Sequence, residues 1–325
     1  MMKVIQFEQY GGPEVLQYIE QERPKPGDNE VLVEVKAIGI NYADTARREG
    51  QYVVPTPLPY VPGSEVAGVI AEVGSNVTGF KVGMRVSALI ESGGYADFVA
   101  LDENGLIPMP DDVDFEQAVA LPLQGLSAYH ILKTMGRLAP GETVLIHAAA
   151  GGVGAIAVQL AKLFGAGKII ATASSDEKLE HAKAMGATHL VDYSKEDWVD
   201  EVKSITDNKG VDLALEMVGG EVFNKTLKCL APFGRLVIFG AASGEQVQFH
   251  PGQLMRKNQS VIGFFLPQIM RKPELFQQSF KELLGYMATG QLKLTIGGSY
   301  PLADAAEVHR LLQSRKTIGK LVLKP

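Results

Sequence analysis

The chain has 325 residues, 46% of them hydrophobic, which is long for a single domain and enough to bury a sizeable core. Its formal net charge of −6 comes from well-mixed charges with no basic block, so no phosphate-neutralising surface for nucleic acid is predicted. Cys229 is the single cysteine, which excludes an intrachain disulfide and every Cys-rich zinc site and fits a reducing, cytoplasmic compartment.

Met1–Tyr10 alternates apolar and polar residues without the basic start and apolar run of a secretory signal, and predicts a first strand. As far as Pro122 there follow short β-type runs: Val31–Ile38, Val66–Val73, Arg85–Leu89 and Tyr95–Ala100. Gly- and Pro-dense stretches such as Gly11-Gly12-Pro13 separate them, a pattern that predicts a β-rich, partly open barrel. From Gly125 to Leu266 strand and helix signals alternate. They are strand Val144–Ile146, helix Val153–Phe164, strand Lys168–Thr172, helix Asp176–Met185, strands Leu190–Asp192 and Leu213–Met217, helix Glu221–Leu230 and strand Arg235–Phe239. This is the rhythm of βαβ units, hence an α/β domain with a doubly wound parallel sheet. A helix at Pro273–Thr289, a strand at Tyr300–Pro301, a helix at Ala303–Ser314 and a strand at Lys320–Leu323 close the chain. The division expected is 1–124, 125–266 and 267–325, with the last segment completing the first domain and the parallel sheet inserted into it. The most apolar stretch, 144–164, contains His147, Gln159, Lys162 and three glycines and is a poor membrane span.

The strand Thr143–His147 leads through Ala148-Ala149-Ala150-Gly151-Gly152-Val153-Gly154 into a helix with apolar Val153, Ile156, Ala157, Leu160 and Ala161. Small residues let this turn approach a pyrophosphate, whose charge the free amides and dipole of the helix N-terminus favour. Glycines also permit close strand–helix packing without any ligand, but the position at the first βα turn of an alternating pattern favours dinucleotide binding. An acid about 20 residues on would take the ribose hydroxyls of NAD. That place holds Ala173-Ser174-Ser175, so the expected cofactor is NADPH, its 2′-phosphate met by Ser174, Ser175 and Lys178. The plainer reading of the same residues is a capping box of Ser174 with Glu177.

The run Gly141 to Lys162, with Ala149-Ala150-Gly151-Gly152-Val153-Gly154 and Gln159, resembles the signature of the quinone oxidoreductases, the zeta-crystallin-like branch of the medium-chain dehydrogenase/reductase superfamily. Gly11 to Leu16, Gly39-Ile40-Asn41-Tyr42 with Asp44, Arg48 and Gly50, Pro62 to Ile70, and His309 to Leu323 resemble the same family. The resemblance implies a GroES-like catalytic domain beside a Rossmann domain, and a homodimer formed through edge-strand pairing near Ser260–Leu266. It also implies Asn41 and Ser127 near the nicotinamide, Gly240 and Ala241 near the pyrophosphate or ribose, the backbone of Phe264, Phe265 and Leu266 near the carboxamide, and Tyr193 and Arg315 at the adenosine phosphate. For Phe264–Leu266 the plain alternative is an ordinary buried strand. Asn41 and Ser64 stand where zinc-dependent relatives carry a Cys and a His ligand, and neither is a usual zinc ligand. Ala46 replaces an aromatic residue common two positions after Asp44, which widens a pocket. The six histidines show no close pair at metal-ligand spacing and read as core or solvated residues.

Without zinc there is no Lewis acid to polarise an alcohol, which leaves an already electrophilic acceptor, a quinone or an α,β-unsaturated carbonyl. Asn41, Tyr52 and Tyr60 are the candidate donors to its developing oxyanion, with simple packing the plainer role for both tyrosines. The alternatives are an enone or enoyl-thioester reductase and a non-catalytic NADPH-binding structural or interaction protein.

Overall fold

In the computed structural model, which describes residues Met1–Pro325, the strand Glu30–Gly39 is the hub of a seven-stranded sheet. Glu65–Val73 runs antiparallel along it, Phe98–Asp102 pairs with residues 30–34, and Lys320–Lys324 pairs with residues 38 and 39. Arg85–Leu89 and Leu106–Pro108 extend the sheet on one side and Ile296–Pro301 on the other. The β-branched runs read from the sequence supply its core, with Val31, Val33, Ile38, Val66, Ile70 and Val86 packed against Phe7, Tyr95, Leu321 and Leu323.

The second sheet is parallel throughout, its strands in the spatial order His189–Asp192, Lys168–Ala173, Thr143–Ile146, Val211–Glu216, Leu230–Ile238, Ser260–Gly263. Chain order reverses between Thr143–Ile146 and Val211–Glu216, which makes the carboxyl end of those two strands the topological switch point where such sheets take ligands. Leu145, Ile170, Val191, Ala214, Leu227, Leu236 and Trp198 form the core of this unit. No helix in the chain is long and apolar enough to cross a membrane.

The two compact units are Met1–Leu123 with Leu294–Pro325, and Gln124–Lys293. The chain therefore returns to the first unit at Leu294 rather than at 267. The helix Pro273–Ala288 stays with the parallel sheet because side chains tie it to the helix Pro122–His130: Tyr129 donates to Glu282 at 2.9 Å, and His130 Nε2 lies 3.0 Å from the Ser279 hydroxyl. Gln159 fixes the exit point, donating to the Lys293 carbonyl and accepting from its N–H, both at 2.9 Å.

Local differences from the sequence reading have local causes. The helix Asp176–Met185 is capped by Ser175, whose side chain makes no capping bond, so the expected Ser174–Glu177 box is absent. The strand before Phe264 ends at Gly263 and Leu266 opens the short helix Leu266–Met270, so 264–265 is an irregular link into a helix and 264–266 is not a buried strand. The strand expected from Tyr95 starts at Phe98, because the Tyr95 and Asp97 amides bond to Pro62 and Lys3 outside the ladder. The helices Tyr42–Arg48, Pro122–His130 and Trp198–Ile205 are not among the expected elements; the first opens on a capping box of Asn41 with Asp44, and the last buries one face through Trp198, Val199 and Val202.

Candidate functional site

The turn between Thr143–Ile146 and the helix Gly152–Leu163 is built from backbone. Ala148 takes the left-handed conformation at φ 48°, its carbonyl accepts from Gly151 N–H at 2.9 Å, and Gly151 caps the helix in extended geometry. As the first residues of the helix, Gly152, Val153 and Gly154 have no carbonyl one turn back inside it to accept their amides. Space explains each glycine differently. A Cβ at Gly154 would lie 2.2 Å from the Ala148 oxygen, one at Gly152 2.1 Å from the Gln124 side chain, and one at Gly151 a tolerable 3.2 Å from Ala148. The result is a helix N-terminus whose three glycines carry no side chain, backed by Gln124, and its first-turn amides suit the charge of a pyrophosphate. Ser127, one turn further along the Gln124 helix, is buried.

The other residues expected around the dinucleotide leave the same edge of the parallel sheet. Ser174 and Ser175 are exposed at the end of Lys168–Ala173, no acid precedes Asp176, and burial lowers the pKa of the Lys178 ammonium two residues beyond. Tyr193 follows the neighbouring strand, its N–H donating to the Ala173 carbonyl at 3.2 Å. Gly240 and Ala241 follow Leu230–Ile238, while Phe264 donates its N–H to the Ile238 carbonyl, so these two exits lie side by side. Sequence reasoning missed Glu216. Fully buried at the end of Val211–Glu216, it accepts from the amides of Val218 at 2.7 Å and Gly219 at 3.0 Å and so shapes the loop against which 240–243 folds. Burial raises its pKa.

In the first unit Asn41 is held on every side. Its N–H donates to Asp44 at 2.8 Å, its amide nitrogen donates to Glu65 at 2.8 Å, and its amide oxygen accepts from Lys320 at 2.8 Å. Lys320 also pairs directly with Glu65, and both are buried, at 1% and 0% exposure. The amide of Asn41 cannot flip without placing like partners against each other, so its orientation is set by this ion pair. Asp44, pushed up to about 6 by burial, also accepts from Gly63 N–H. Tyr60 is buried and donates to the Glu91 carbonyl at 3.2 Å, and burial pushes its hydroxyl up to about 12. Tyr52 is half-buried, and the Arg47 guanidinium stacks on its ring at 4.1 Å. Arg315 is exposed, with φ 59°.

The buried histidines are structural. His147 bridges Thr172 and Thr226 at 2.8 Å on both ring nitrogens, and burial brings it down to about 4, so it stays neutral in the core of the parallel sheet. His309 links Arg48 to Tyr95, each at 3.0 Å.

Residues 27–111 match the family described as alcohol dehydrogenase GroES-like domain, and residues 152–287 the family described as zinc-binding dehydrogenase. The quinone oxidoreductase of Pseudomonas aeruginosa is 42% identical over 327 residues, covering 100% of both chains. The chain belongs to the quinone oxidoreductase family. Among solved structures, Escherichia coli quinone oxidoreductase complexed with NADPH superposes with a TM-score of 0.94 at 38% identity over 99% of this chain and 100% of that one. The quinone oxidoreductase of Pseudomonas syringae pv. tomato gives 0.93 at 42% identity over the full length of both.

Within this family several motif residues prove to be architecture. Arg48 donates to the Gly11 carbonyl at 3.0 Å and to Gln313 at 3.0 Å, which joins the Gly11-Gly12 turn to the helix Ala305–Gln313. Gly319, at φ 69° with the Thr295 oxygen 2.3 Å from any Cβ, turns the chain so that Lys320 enters the core beside Asn41. Lys320 and Glu65 lie 255 positions apart, too far for spacing to signal the pair.

Proposed function

We propose that this chain transfers hydride from NADPH to a quinone or a related electron-poor acceptor, in the cytoplasm, without zinc and as a homodimer. It is an NADPH-dependent oxidoreductase, as its family is. The observation that carries the reading is the glycine-rich turn at 150–154 that opens the helix Gly152–Leu163 at the switch point of a parallel sheet. Ala150, Gly151, Gly152, Val153 and Gly154 hold the pyrophosphate, Ser174, Ser175 and Lys178 the 2′-phosphate, and Ser127, Tyr193, Gly240, Ala241, Phe264, Phe265, Leu266 and Arg315 the remainder of the dinucleotide. Once bound, NADPH supplies hydride from C4 of its nicotinamide. Asn41 orients the reacting partners, its amide fixed by Lys320 and Glu65, with Tyr52 as a second polar contact. Tyr60, its proton committed to Glu91, serves as packing. Two electrons and a proton reach the quinone as hydride, and a second proton drawn from solvent completes the hydroquinone.

The test is NADPH oxidation by a panel of quinones and enones, with both cofactors titrated by fluorescence. NADPH is expected to bind at least about tenfold tighter than NADH, roughly 1.4 kcal/mol, and Lys178→Ala to erode that preference. C4-deuterated NADPH should deliver deuterium to the β-carbon of an enone. Equal affinities would remove the 2′-phosphate argument, and no oxidation by any acceptor would move the protein to the binding-protein class.

The residues present do not fit zinc. Asn41 is taken up by Lys320 and Glu65, Ser64 is not a usual ligand, and Cys229 is buried beneath the parallel sheet, where burial pushes its thiol up to about 12. The strand Ser260–Gly263 ends the sheet order, leaving an edge on which a second copy can pair. Native mass spectrometry checks both expectations at once: the species expected has the mass of two chains and no metal. A monomer at micromolar concentration, or one zinc per chain, would overturn the corresponding half.

A further inference from the structure

The helix Tyr42–Arg48 presents an arginine that the reading above does not use. The Arg47 guanidinium stacks on Tyr52 at 4.1 Å and reaches over Tyr60 at 5.4 Å, with one nitrogen 3.4 Å from the Thr56 hydroxyl. Its Nε is buried without a hydrogen-bond partner. Of the arginines that stack on a ring, Arg23 also pairs with Glu72 and Arg85 spends its donors on the Pro110 and Val113 carbonyls, whereas Arg47 faces two tyrosines and a threonine. The carboxylates of its own helix and cap are committed elsewhere, Asp44 to the Asn41 and Gly63 amides and Glu49 to Arg48 and Gln313. The loop that follows exposes apolar side chains, with Val53 at 74%, Val54 at 37% and Leu58 at 39% exposure.

A cation ordered by aromatic stacking, lacking an anionic partner and bordered by apolar side chains, is complementary to a flat apolar molecule that carries a negative group. We propose that Arg47 is a specificity-determining residue of the acceptor site, selecting aromatic acceptors that bear an anionic substituent such as a carboxylate or sulfonate. Stacking on Tyr52 and Tyr60 holds the guanidinium plane, so little side-chain freedom is lost when the anion binds. Ala46, small where an aromatic residue is common, stands beside it on the helix. The proposal rests on the quinone-reductase reading of the same loop.

The experiment compares wild type, Arg47→Met and Arg47→Lys with a neutral quinone, 2-methyl-1,4-naphthoquinone, and an anionic one, 1,4-naphthoquinone-2-sulfonate. Each variant is normalised to wild type on the same acceptor, which cancels intrinsic reactivity. Arg47→Met is expected to lower kcat/KM for the sulfonate by about tenfold or more, the scale of one charge-assisted hydrogen bond, and for the neutral quinone by less than about threefold. Arg47→Lys should recover part of the difference, and the wild-type preference for the sulfonate should weaken as salt rises. An equal loss on both acceptors would show that Arg47 only braces the loop. A weaker Kd for NADPH in Arg47→Met would assign the cation to a cofactor phosphate and likewise overturn the proposal. Calorimetry with the non-reducible naphthalene-2-sulfonate keeps the two readings apart. If no quinone is reduced, the quinone reading fails, while the calorimetric loss in Arg47→Met still decides whether the anion site exists.

Discussion

Replacing Lys320 by Met is expected to destabilise the protein by about 3–5 kcal/mol, because it leaves Glu65 as an uncompensated carboxylate in a dry interior. Glu65 is fully buried, and its other oxygen accepts only a backbone amide, that of Leu123 at 3.1 Å. Removing both charges together, as Lys320→Met with Glu65→Gln, should recover most of that loss, since a neutral pair pays no comparable desolvation cost. Urea denaturation of the three variants reads the difference directly. The double variant should then separate stability from activity: it folds, but Asn41 has lost the ammonium that orients its amide, so turnover is expected to fall with NADPH affinity little changed. A single Lys320→Met variant as stable as wild type would mean that the pair is solvated or dispensable.

Gly154→Val is expected to cost at least about a hundredfold in NADPH affinity, roughly 2.7 kcal/mol, together with about 1–3 kcal/mol of stability from overpacking. Any Cβ at this position falls 2.2 Å from the Ala148 oxygen and 2.8 Å from the Ala149 Cα, and both are backbone atoms. The strand end cannot yield easily, because Ala148 already sits at φ 48° and the Ala149 N–H is tied to Thr172 at 3.1 Å. The helix must therefore move away, taking with it the first-turn amides proposed for the pyrophosphate. Gly151→Ala is the control. Its Cβ would stand 3.2 Å from the Ala148 oxygen with φ already at −75°, so a far smaller loss of stability is expected. Thermal unfolding of both variants, with fluorescence titration of Gly154→Val, provides the measurement, and similar losses of stability for the two would refute the steric argument.

What was legible in the sequence was local. The strand Thr143–Ile146, the glycine turn and the helix after it are contiguous, so hydrophobic period and turn chemistry specify them without reference to the rest of the chain. For the same reason Asp176–Met185 and Arg85–Leu89 fall at their expected bounds. The absence of an acid at 173–175 was likewise readable, because cofactor choice there depends on one short stretch.

Tertiary structure alone decided the rest. Whether Pro273–Ala288 belongs to the first or the second unit turns on two side-chain contacts to Tyr129 and His130 across about 150 residues of sequence, which no periodicity records. The orientation of Asn41 is set by Glu65 and Lys320, 24 and 279 positions away, and a buried ion pair has no local signature when its members lie on different strands. Arg47 reads in sequence as one more charged residue beside the Asp44 and Arg48 motif positions. Only the fold brings Tyr52 and Tyr60 against it, since the path of the intervening loop is set by its anchors in the sheet and not by its own composition.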